Sequence, residues 1–429
     1  MPKFLKKEKL NLLMLIALVT GNMVGSGIFM LPADFARIGS ISLLSWIFSS
    51  AGVILLALVF AKMSAIFPKT GGPYAYTHLG FGNFMGFQTA YIYWLMVLFG
   101  NAAVAVASIG YLQTFFPVLA NPYLGTLVTL SEVWLFTLIN IRGVRTVGII
   151  QIITTILKFV PLLIVGILGW MYFHPEYITQ NFNVSHKSNF SAFSYASILI
   201  FWVFIGLETG TIPAGSVENP RRNIPMATIL GTLIAAVIYI ASTTALMGMI
   251  HPRELMNSTS PFAEAMKLMF GTWGGRIAAL GAIISCLGVL NGWTLIQGQM
   301  PMAAAKDKLF PKFFAKCNKH DVPALGIIAS SVIISIMLII TTSKSLIDQF
   351  NILISAATVI ALLTYMYTAI AEIILLPKRN IPHIIIASLA ACYSFWVIFG
   401  SGQEIVFYMT MLVFTSIPLY IGIKYKLKK

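Results

Sequence analysis

Long apolar runs, separated by short segments of Gly, Pro, Asn and charged residues, recur along the whole chain. A helix needs about 20 mostly apolar residues to cross a bilayer, with about 17 as a lower bound. The runs predict twelve membrane-spanning helices, at residues 10–36, 41–66, 84–115, 124–141, 147–172, 192–214, 226–250, 277–303, 325–342, 350–376, 382–400 and 404–424. The predicted fold class is therefore an all-α polytopic membrane protein.

The composition agrees with this pattern and excludes soluble classes of protein. Of the 429 residues, 58% are apolar and 10% are charged, whereas a soluble domain carries about 25% charged residues. Twelve spans leave room for short loops only, so we expect a single membrane domain over residues 1–429. The formal charge of +15 does not indicate a nucleic-acid partner, because the charges lie beside the spans.

The distribution of Lys and Arg predicts the orientation. Of the 28 Lys and Arg residues, 21 fall on the side of the N-terminus, six on the other side, and Lys158 inside a span. The positive-inside rule then places both termini in the cytoplasm of a multi-pass protein of the cell (inner) membrane. The basic N-terminus runs into an apolar stretch without a small-residue cleavage site, so we interpret that stretch as a retained first span.

Cysteine and histidine patterns give no sign of metal or enzyme chemistry. Cys286, Cys317 and Cys392 are far apart and form no CxxC pair, so neither a disulfide framework nor a zinc site is expected. HExxH and Walker motifs are absent, and the six histidines fall in loops or near span ends. We expect no catalytic residue, no metal and no cofactor.

Two of the predicted spans contain helix-breaking positions at similar depth. The first contains Gly25-Ser26-Gly27, and the sixth contains Gly206 two residues before Glu208. Glycines alone are also typical of close helix packing. Matched breaks in the first helix of each half, however, are typical of inverted-repeat transporters with a midplane site. This predicts five-helix repeats at residues 10–172 and 192–376, followed by two additional helices at 382–424.

A broken helix inside a membrane frees backbone groups that a substrate can satisfy. The amide end of the half-helix near Gly27 suits a carboxylate, and the freed carbonyls before it suit an ammonium, as in an amino acid. Polar and aromatic side chains at membrane depth are then candidates to bind the rest of the substrate: Tyr93, Asn101, Trp202, Glu208, Trp293 and Tyr365. Aromatic faces and a carboxylate favour a cation.

Each of these side chains also has a simpler interpretation. A single Trp in a membrane helix is more often a packing residue or an interfacial anchor, and Asn101 could hydrogen-bond to a neighbouring helix. Glu132 and Lys158 could form a buried ion pair instead of a transport site. Glu372, near a predicted span end, is expected to be a solvated boundary charge.

Several segments together resemble a known family. They are Gly21 through Phe29 in the first span, Gly71-Gly72-Pro73-Tyr74-Ala75-Tyr76 after the second, Trp202 through Glu208, Glu218 through Pro225, and Gly292-Trp293-Thr294. The whole chain resembles the basic amino acid/polyamine antiporters of the amino acid–polyamine–organocation superfamily. The resemblance implies a LeuT-like 5+5 inverted repeat with helices 1 and 6 broken, and exchange of an external cationic amino acid for its internal decarboxylation product. It also implies a homodimer in membrane lipid.

The same resemblance implies roles for individual residues. Ser26 and Gly27 would hold the substrate carboxylate, and backbone carbonyls near Met23, Trp202 and Ile205 would take the α-amino group. Trp293 and Asn101 would receive the distal guanidinium. The further substrate-binding positions implied are Asn22, Met96, Val97 and Ala357. The implied gates are Trp202 on the outer side, Trp293 in the middle, and Tyr93, Glu208 and Tyr365 on the cytoplasmic side. Candidates for pH response or proton coupling are Tyr74, Lys158 and Glu208.

The chain departs from the arginine/agmatine pattern at several positions. Met96, Val97, Leu98 and Ala357 differ from the residues of those exchangers. Residues 254–262 and a predicted turn at 348–351 look more like ornithine/putrescine exchangers. Arginine/agmatine remains the first expectation, with ornithine/putrescine and lysine/cadaverine exchange as alternatives. Lys158, where sodium sits in coupled relatives, leaves a proton-coupled amino acid importer as a further alternative.

Overall fold

The described residues fold into a bundle of long helices in the computed structural model. The structure describes residues 9–258, 260–342, 346–377, 380–401 and 403–428. Part of the predicted charge asymmetry and of the family-like segments rests on residues outside these ranges, namely Lys3, Lys6, Lys7, Thr259, Lys344, Lys378, Arg379 and Lys429. The helices are α1 (Leu12–Met23), α2 (Ser26–Ile38), α3 (Ile41–Ile66), α4 (Pro73–Phe81), α5 (Asn83–Leu112), α6 (Pro122–Asn140), α7 (Val144–Leu168), α8 (Pro175–Thr179), α9 (Asn189–Phe204), α10 (Pro220–Met249), α11 (Pro252–Leu255), α12 (Pro261–Lys306), α13 (Ala324–Thr341), α14 (Leu346–Leu375), α15 (Ile381–Gly400) and α16 (Gln403–Lys428).

The predicted number of spans is confirmed. Eleven segments of the described chain are long and apolar enough to cross a membrane, and α16 contains a shorter apolar stretch at Met409–Lys424. Large apolar side chains point outward from the bundle, for example Ile153 and Ile156 of α7, as expected of helices whose outer faces meet lipid tails. Helix α12 packs against α5 and α7, α5 also packs against α14, and α3 packs against α9 and α10.

Both predicted breaks are present. Helix α1 ends at Met23 and α2 begins at Ser26, with the backbone of Gly25 extended between them. Helix α9 ends at Phe204, and Gly206 follows with a φ of +119°. That angle lies in the region that favours glycine, because it has no Cβ. Beyond Gly206 the chain forms single 3-10 turns at Thr209–Thr211 and Ala214–Ser216, so the sixth span has only one regular helical half.

Two sequence predictions about helix boundaries were wrong. The eighth span was expected at residues 277–303, but α12 begins at Pro261 and bends at Gly271, where φ is +69°. Its first part carries Glu264 and Lys267, whose charges hid the helix from a search for apolar runs. The turn expected at residues 348–351 is part of the backbone of α14.

Backbone hydrogen bonds join the segment before α1 to the segment that follows the sixth span. The Leu10 N–H donates to the Ser216 carbonyl over 2.7 Å, and the Glu218 N–H donates back to the Leu10 carbonyl over 2.9 Å. Leu10 and Val217 thereby form an isolated parallel β-bridge. The segment before α1 is therefore joined to the segment that follows the broken sixth span.

Candidate substrate site between two broken helices

The break in the first span is surrounded by hydrogen-bond donors. The ammonium of Lys158, on α7, donates to the carbonyl of Gly21 over 2.5 Å and to that of Val24 over 2.9 Å. The hydroxyl of Ser285, on α12, donates to the same Val24 carbonyl over 2.8 Å. Lys158 and Ser285 are completely buried. These donors replace the amides that α1 would have supplied had it continued.

The break in the sixth span has a carboxylate at its centre instead. The buried carboxylate of Glu208 accepts hydrogen bonds from the hydroxyls of Tyr93 and Tyr365. It also accepts the backbone N–H of Gly206 over 3.1 Å. Helix α5 supplies Tyr93 and α14 supplies Tyr365, so three spans meet at this carboxylate.

The two breaks touch each other. A Cβ added to Gly206 would lie 2.9 Å from the backbone carbon of Asn22, so only glycine allows this approach. The indole N–H of Trp293, on α12, donates to the Asn22 carbonyl over 3.3 Å. Asn22 is therefore in contact with the sixth span on one side and with α12 on the other.

A cavity lies between the two breaks. It is lined by Asn22, Met23, Gly25, Ser26, Gly27, Gly100, Val104, Trp202, Val203, Ile205, Val289, Trp293 and Ala357. The Ser26 hydroxyl and the amide nitrogen of Asn22 are buried there without a hydrogen-bond partner. Unpaired buried polar groups are costly, so these two groups are available to a polar ligand.

One end of this cavity is positively polarised. Helix α2 begins at Ser26, and no side chain caps its first amides, which suits an anionic group. Trp202 covers this end: a Cβ on Gly27 would lie 2.8 Å from Cδ1 and 2.9 Å from Nε1 of the Trp202 indole. The glycine therefore lets the ring lie directly on the amide end of α2.

The sequence profile of one family, described as amino acid permease, matches residues 10–423 of the chain. The chain belongs to the amino acid permease family. This confirms the superfamily expected from the sequence and, with the helical bundle, the expected fold class. The permease is thus a multi-pass membrane transporter and not an enzyme.

Individual relatives align along nearly the whole permease. The putrescine transporter PotE of Escherichia coli (strain K12) is 34% identical over 421 residues, which cover 97% of this chain and 96% of PotE. PotE of Haemophilus influenzae is 32% identical over 432 residues, covering 99% of each chain. The cadaverine/lysine antiporter of Escherichia coli (strain K12) is 32% identical over 403 residues, covering 92% of this chain and 90% of the antiporter.

The cavity brings together most of the substrate-binding positions that the sequence singled out. Eight of them line it: Asn22, Met23, Ser26, Gly27, Trp202, Ile205, Trp293 and Ala357. Three others, on α5, are buried but do not belong to the lining: Met96, Val97 and Asn101. Asn101 instead donates its amide to the Oε1 atom of Gln297, on α12, over 2.8 Å.

Tyr74 lies outside the spans, on α4, and joins that short helix to the end of α12. Its hydroxyl donates to Asp307 over 2.7 Å and lies 3.3 Å from Nδ1 of His78. Burial and the Asp307 carboxylate raise the pKa of Tyr74 well above its ordinary value. The phenol therefore keeps its proton at physiological pH, and its bond to Asp307 is lost only when the pH passes the raised pKa of Tyr74, well above its ordinary value.

The structure decides two questions about buried charges. The ion pair left open between Glu132 and Lys158 is absent among the described residues: the Glu132 carboxylate accepts from Ser108 over 2.5 Å, and Lys158 bonds to α1. Glu372 is completely buried rather than solvated, and His383 lies 3.2 Å from one of its oxygens. Sequence reasoning also passed over Gln297, although an amide inside an apolar span is a signal that could have found it.

Proposed function

We propose that the permease is a secondary antiporter that exchanges an external cationic amino acid for the internal diamine formed by its decarboxylation. The observation that carries the proposal is the cavity between the breaks, which offers an uncapped helix amide end with the free Ser26 hydroxyl at one end. The faces of Trp202 and Trp293 border the same cavity, and the Glu208 carboxylate lies at the adjoining break. An amino acid with a cationic side chain has a carboxylate for the helix amide end and positive charge for the Trp faces and the Glu208 carboxylate.

The roles proposed for the site follow from this arrangement. The carboxylate binds at Ser26 and Gly27, and the α-amino group binds freed carbonyls near Met23, Trp202 and Ile205. The distal head lies over Trp293 toward Asn101, Met96, Val97 and Ala357. Trp202 closes the outer side, Trp293 divides the cavity, and the Tyr93–Glu208–Tyr365 cluster closes the cytoplasmic side.

For the substrate pair, we favour ornithine/putrescine or lysine/cadaverine over arginine/agmatine. The relatives named above carry putrescine, or cadaverine and lysine, in their names. Ala357 lines the cavity and has no side-chain polar atom to add a bond to a guanidinium. A primary ammonium, with three donors on one atom, needs fewer acceptors at that end than a guanidinium with five.

The proposed exchange moves net charge across the membrane. A monovalent amino acid enters while a divalent diamine leaves, so each cycle moves one positive charge outward. Decarboxylation inside the cell consumes a proton, and the combined process therefore removes acid from the cytoplasm. We propose that the permease does this as a homodimer in the cytoplasmic (inner) membrane, with both termini in the cytoplasm and with two inverted five-helix repeats followed by two peripheral helices.

The test is uptake of labelled ornithine, lysine and arginine into proteoliposomes. Vesicles are preloaded with putrescine, cadaverine, agmatine or buffer alone, at two external pH values, with protein-free vesicles as the control. We expect uptake to require an internal amine and to be fastest for a pair that differs only by the carboxyl group. Uptake that is indifferent to the internal solute would contradict exchange, and a fastest arginine/agmatine pair would contradict our preference for diamines.

Lys158 supports a second candidate function, a proton-coupled importer. Its ammonium donates to the carbonyls of Gly21 and Val24 at the end of α1, so loss of its proton would remove a charge beside the first break. In the same assay, empty vesicles that fill only under an inward proton gradient would favour this function. A Lys158→Ala protein that keeps full uptake driven by the proton gradient would exclude it.

A further inference from the structure

The amide of Gln297 has a fixed orientation. Its Nε2 atom lies 3.3 Å from the carbonyl oxygen of Ile327 and 3.0 Å from the hydroxyl of Ser331, both on α13. The Ser331 hydroxyl lies 3.0 Å from the same Ile327 carbonyl and can donate to it. Because a carbonyl oxygen only accepts hydrogen bonds, the NH2 group of Gln297 must face α13. Its Oε1 atom then faces α5.

The orientation of the Gln297 amide determines that of the Asn101 amide. Gln297 Oε1 only accepts, so Asn101 must direct its own NH2 group toward it, and the two atoms are 2.8 Å apart. The Asn101 Oδ1 atom is left buried and without a partner, in a residue that is 1% exposed. A buried unpaired acceptor is costly unless a donor arrives.

Asn101 does not line the cavity, but it lies on α5 between two residues that do. Its chain neighbour Gly100 and Val104, almost one turn further along α5, both line the cavity. The six-membered ring of Trp293 lies 3.7 Å from the position that a Cβ on Gly100 would occupy. Asn101 therefore lies next to the region in which we place the distal head of the substrate, and the proposal takes Oδ1 as the atom that this head reaches.

We propose that Gln297 is a positioning residue that makes Asn101 present only an acceptor to the substrate. A distal group that donates hydrogens, such as an ammonium, gains a bond at Oδ1. A neutral amide can satisfy the site only through its NH2 group. A carboxylate head would place its own oxygen against Asn101 Oδ1, where neither atom can donate. The inference rests on the proposed function and adds the reason why a neutral Asn can select for basic side chains over amide and acidic ones.

The experiment compares ornithine with glutamine, which has a side chain of similar length with an amide head. The measured quantity is the ratio of their kcat/KM values for uptake into putrescine-loaded vesicles. In the Gln297→Met protein the Asn101 amide is free to turn, so we expect the ratio to fall about tenfold. The matched control is Gln299→Met, which makes the same change at another buried amide of α12 that the proposal does not use. We expect it to leave the ratio unchanged.

A double-mutant cycle separates positioning from a general structural effect. In an Asn101→Ala background there is no amide to orient, so Gln297→Met should change the ratio by less than about twofold. If Gln297→Met lowers both substrates equally, or acts in full in the Asn101→Ala background, the inference is overturned. Should the Met variant fail to fold, Ser331→Ala removes one of the two groups that orient Gln297, and we expect a drop of about threefold. An unchanged ratio in that protein would also overturn the inference.

Uptake by the wild-type protein separates a failure of the proposed function from a failure of the positioning role of Gln297. If it does not take up ornithine against putrescine at all, the proposed function fails. If it does, and prefers ornithine to glutamine, the proposed function stands and only the Gln297 variants decide the positioning role.

Discussion

The two broken spans have ionisable side chains of opposite kind beside their breaks. At the first break a buried cation, Lys158, donates to two carbonyls at the end of α1. At the second break a buried anion, Glu208, accepts the amide of Gly206 and two tyrosine hydroxyls. Lys158 thus donates to carbonyls that the first break leaves without a helical partner, and Glu208 accepts an amide at the second break.

The difference fits the proposed exchange of cationic substrates. The Lys158 amine satisfies carbonyls that the first break leaves without helical partners. The Glu208 carboxylate beside the second break makes the site suitable for positive charge. Because the breaks touch at Asn22 and Gly206, the fields of both groups act on one cavity.

The largest expected effect is that of removing the cation from the first break. Lys158→Met keeps most of the side-chain length but leaves the carbonyls of Gly21 and Val24 with fewer donors. We expect the free energy of unfolding in detergent to fall by about 3 kcal/mol, because a buried acceptor without a partner costs about 1–3 kcal/mol. The measurement is thermal unfolding of the purified protein, with the exposed Lys69→Met as control. Equal stability of the two proteins would contradict the structural role of Lys158.

The next effect tests whether contact between the breaks depends on glycine. Gly206→Ala places a Cβ 2.9 Å from the Asn22 backbone at a φ of +119°. We expect a loss of about 2–3 kcal/mol from left-handed strain plus the displaced backbone. The control is Gly82→Ala, where φ is +83° but nothing lies within 4 Å, and we expect a loss of about 1 kcal/mol. Similar losses at both positions would mean that strain alone acts and the contact is unimportant.

A third change concerns the anion at the second break. Glu208→Gln keeps the shape but removes the negative charge, so we expect putrescine exchange to fall at least about tenfold, or 1.4 kcal/mol. Binding of a neutral amino acid should fall less. The control is Glu132→Gln, a buried carboxylate bonded to Ser108 and absent from the cavity lining. If the Glu208 variant affects amines and neutral amino acids equally, the carboxylate does not sense substrate charge.

The smallest effect separates charged from neutral donors at the first break. Ser285→Ala removes a hydroxyl from the Val24 carbonyl, but Lys158 still donates to that carbonyl. We therefore expect a loss of only about 0.6 kcal/mol, the average for polar contacts between membrane helices. Ser64→Ala, which removes a hydroxyl bonded within its own helix, serves as the control. A loss as large as that of Lys158→Met would show that the ammonium has no special role.

Local signals were enough to predict the spans and both breaks. Apolar length identifies a spanning helix, and a glycine or a carboxylate at membrane depth marks an interruption, as at Gly25, Gly206 and Glu208. Eight of the expected substrate-binding positions line the cavity because they lie at or near these breaks, or on the faces of α12 and α14 that pack against them.

Partners across helices could not be predicted in the same way. A sequence does not state which faces of two spans meet, so an ion pair of Lys158 with Glu132 stayed open and its contact with the carbonyls of α1 was not predicted. A sequence does not show which backbone carbonyls are free to accept a hydrogen bond. That becomes clear only when the break in the helix is located in the three-dimensional structure. For the same reason Gln297 and the buried Glu372–His383 contact emerge only when the helices are packed.

The bridge between Leu10 and Val217 bears on how the cavity opens toward the N-terminal side. The two backbone hydrogen bonds of the bridge join the base of α1 to the chain that follows the sixth span. Any outward swing of α1 on its own must break both bonds, at a cost of about 1–3 kcal/mol. If instead the two segments move as one body, the bridge acts as a mechanical linkage through which both broken helices change position in the same step.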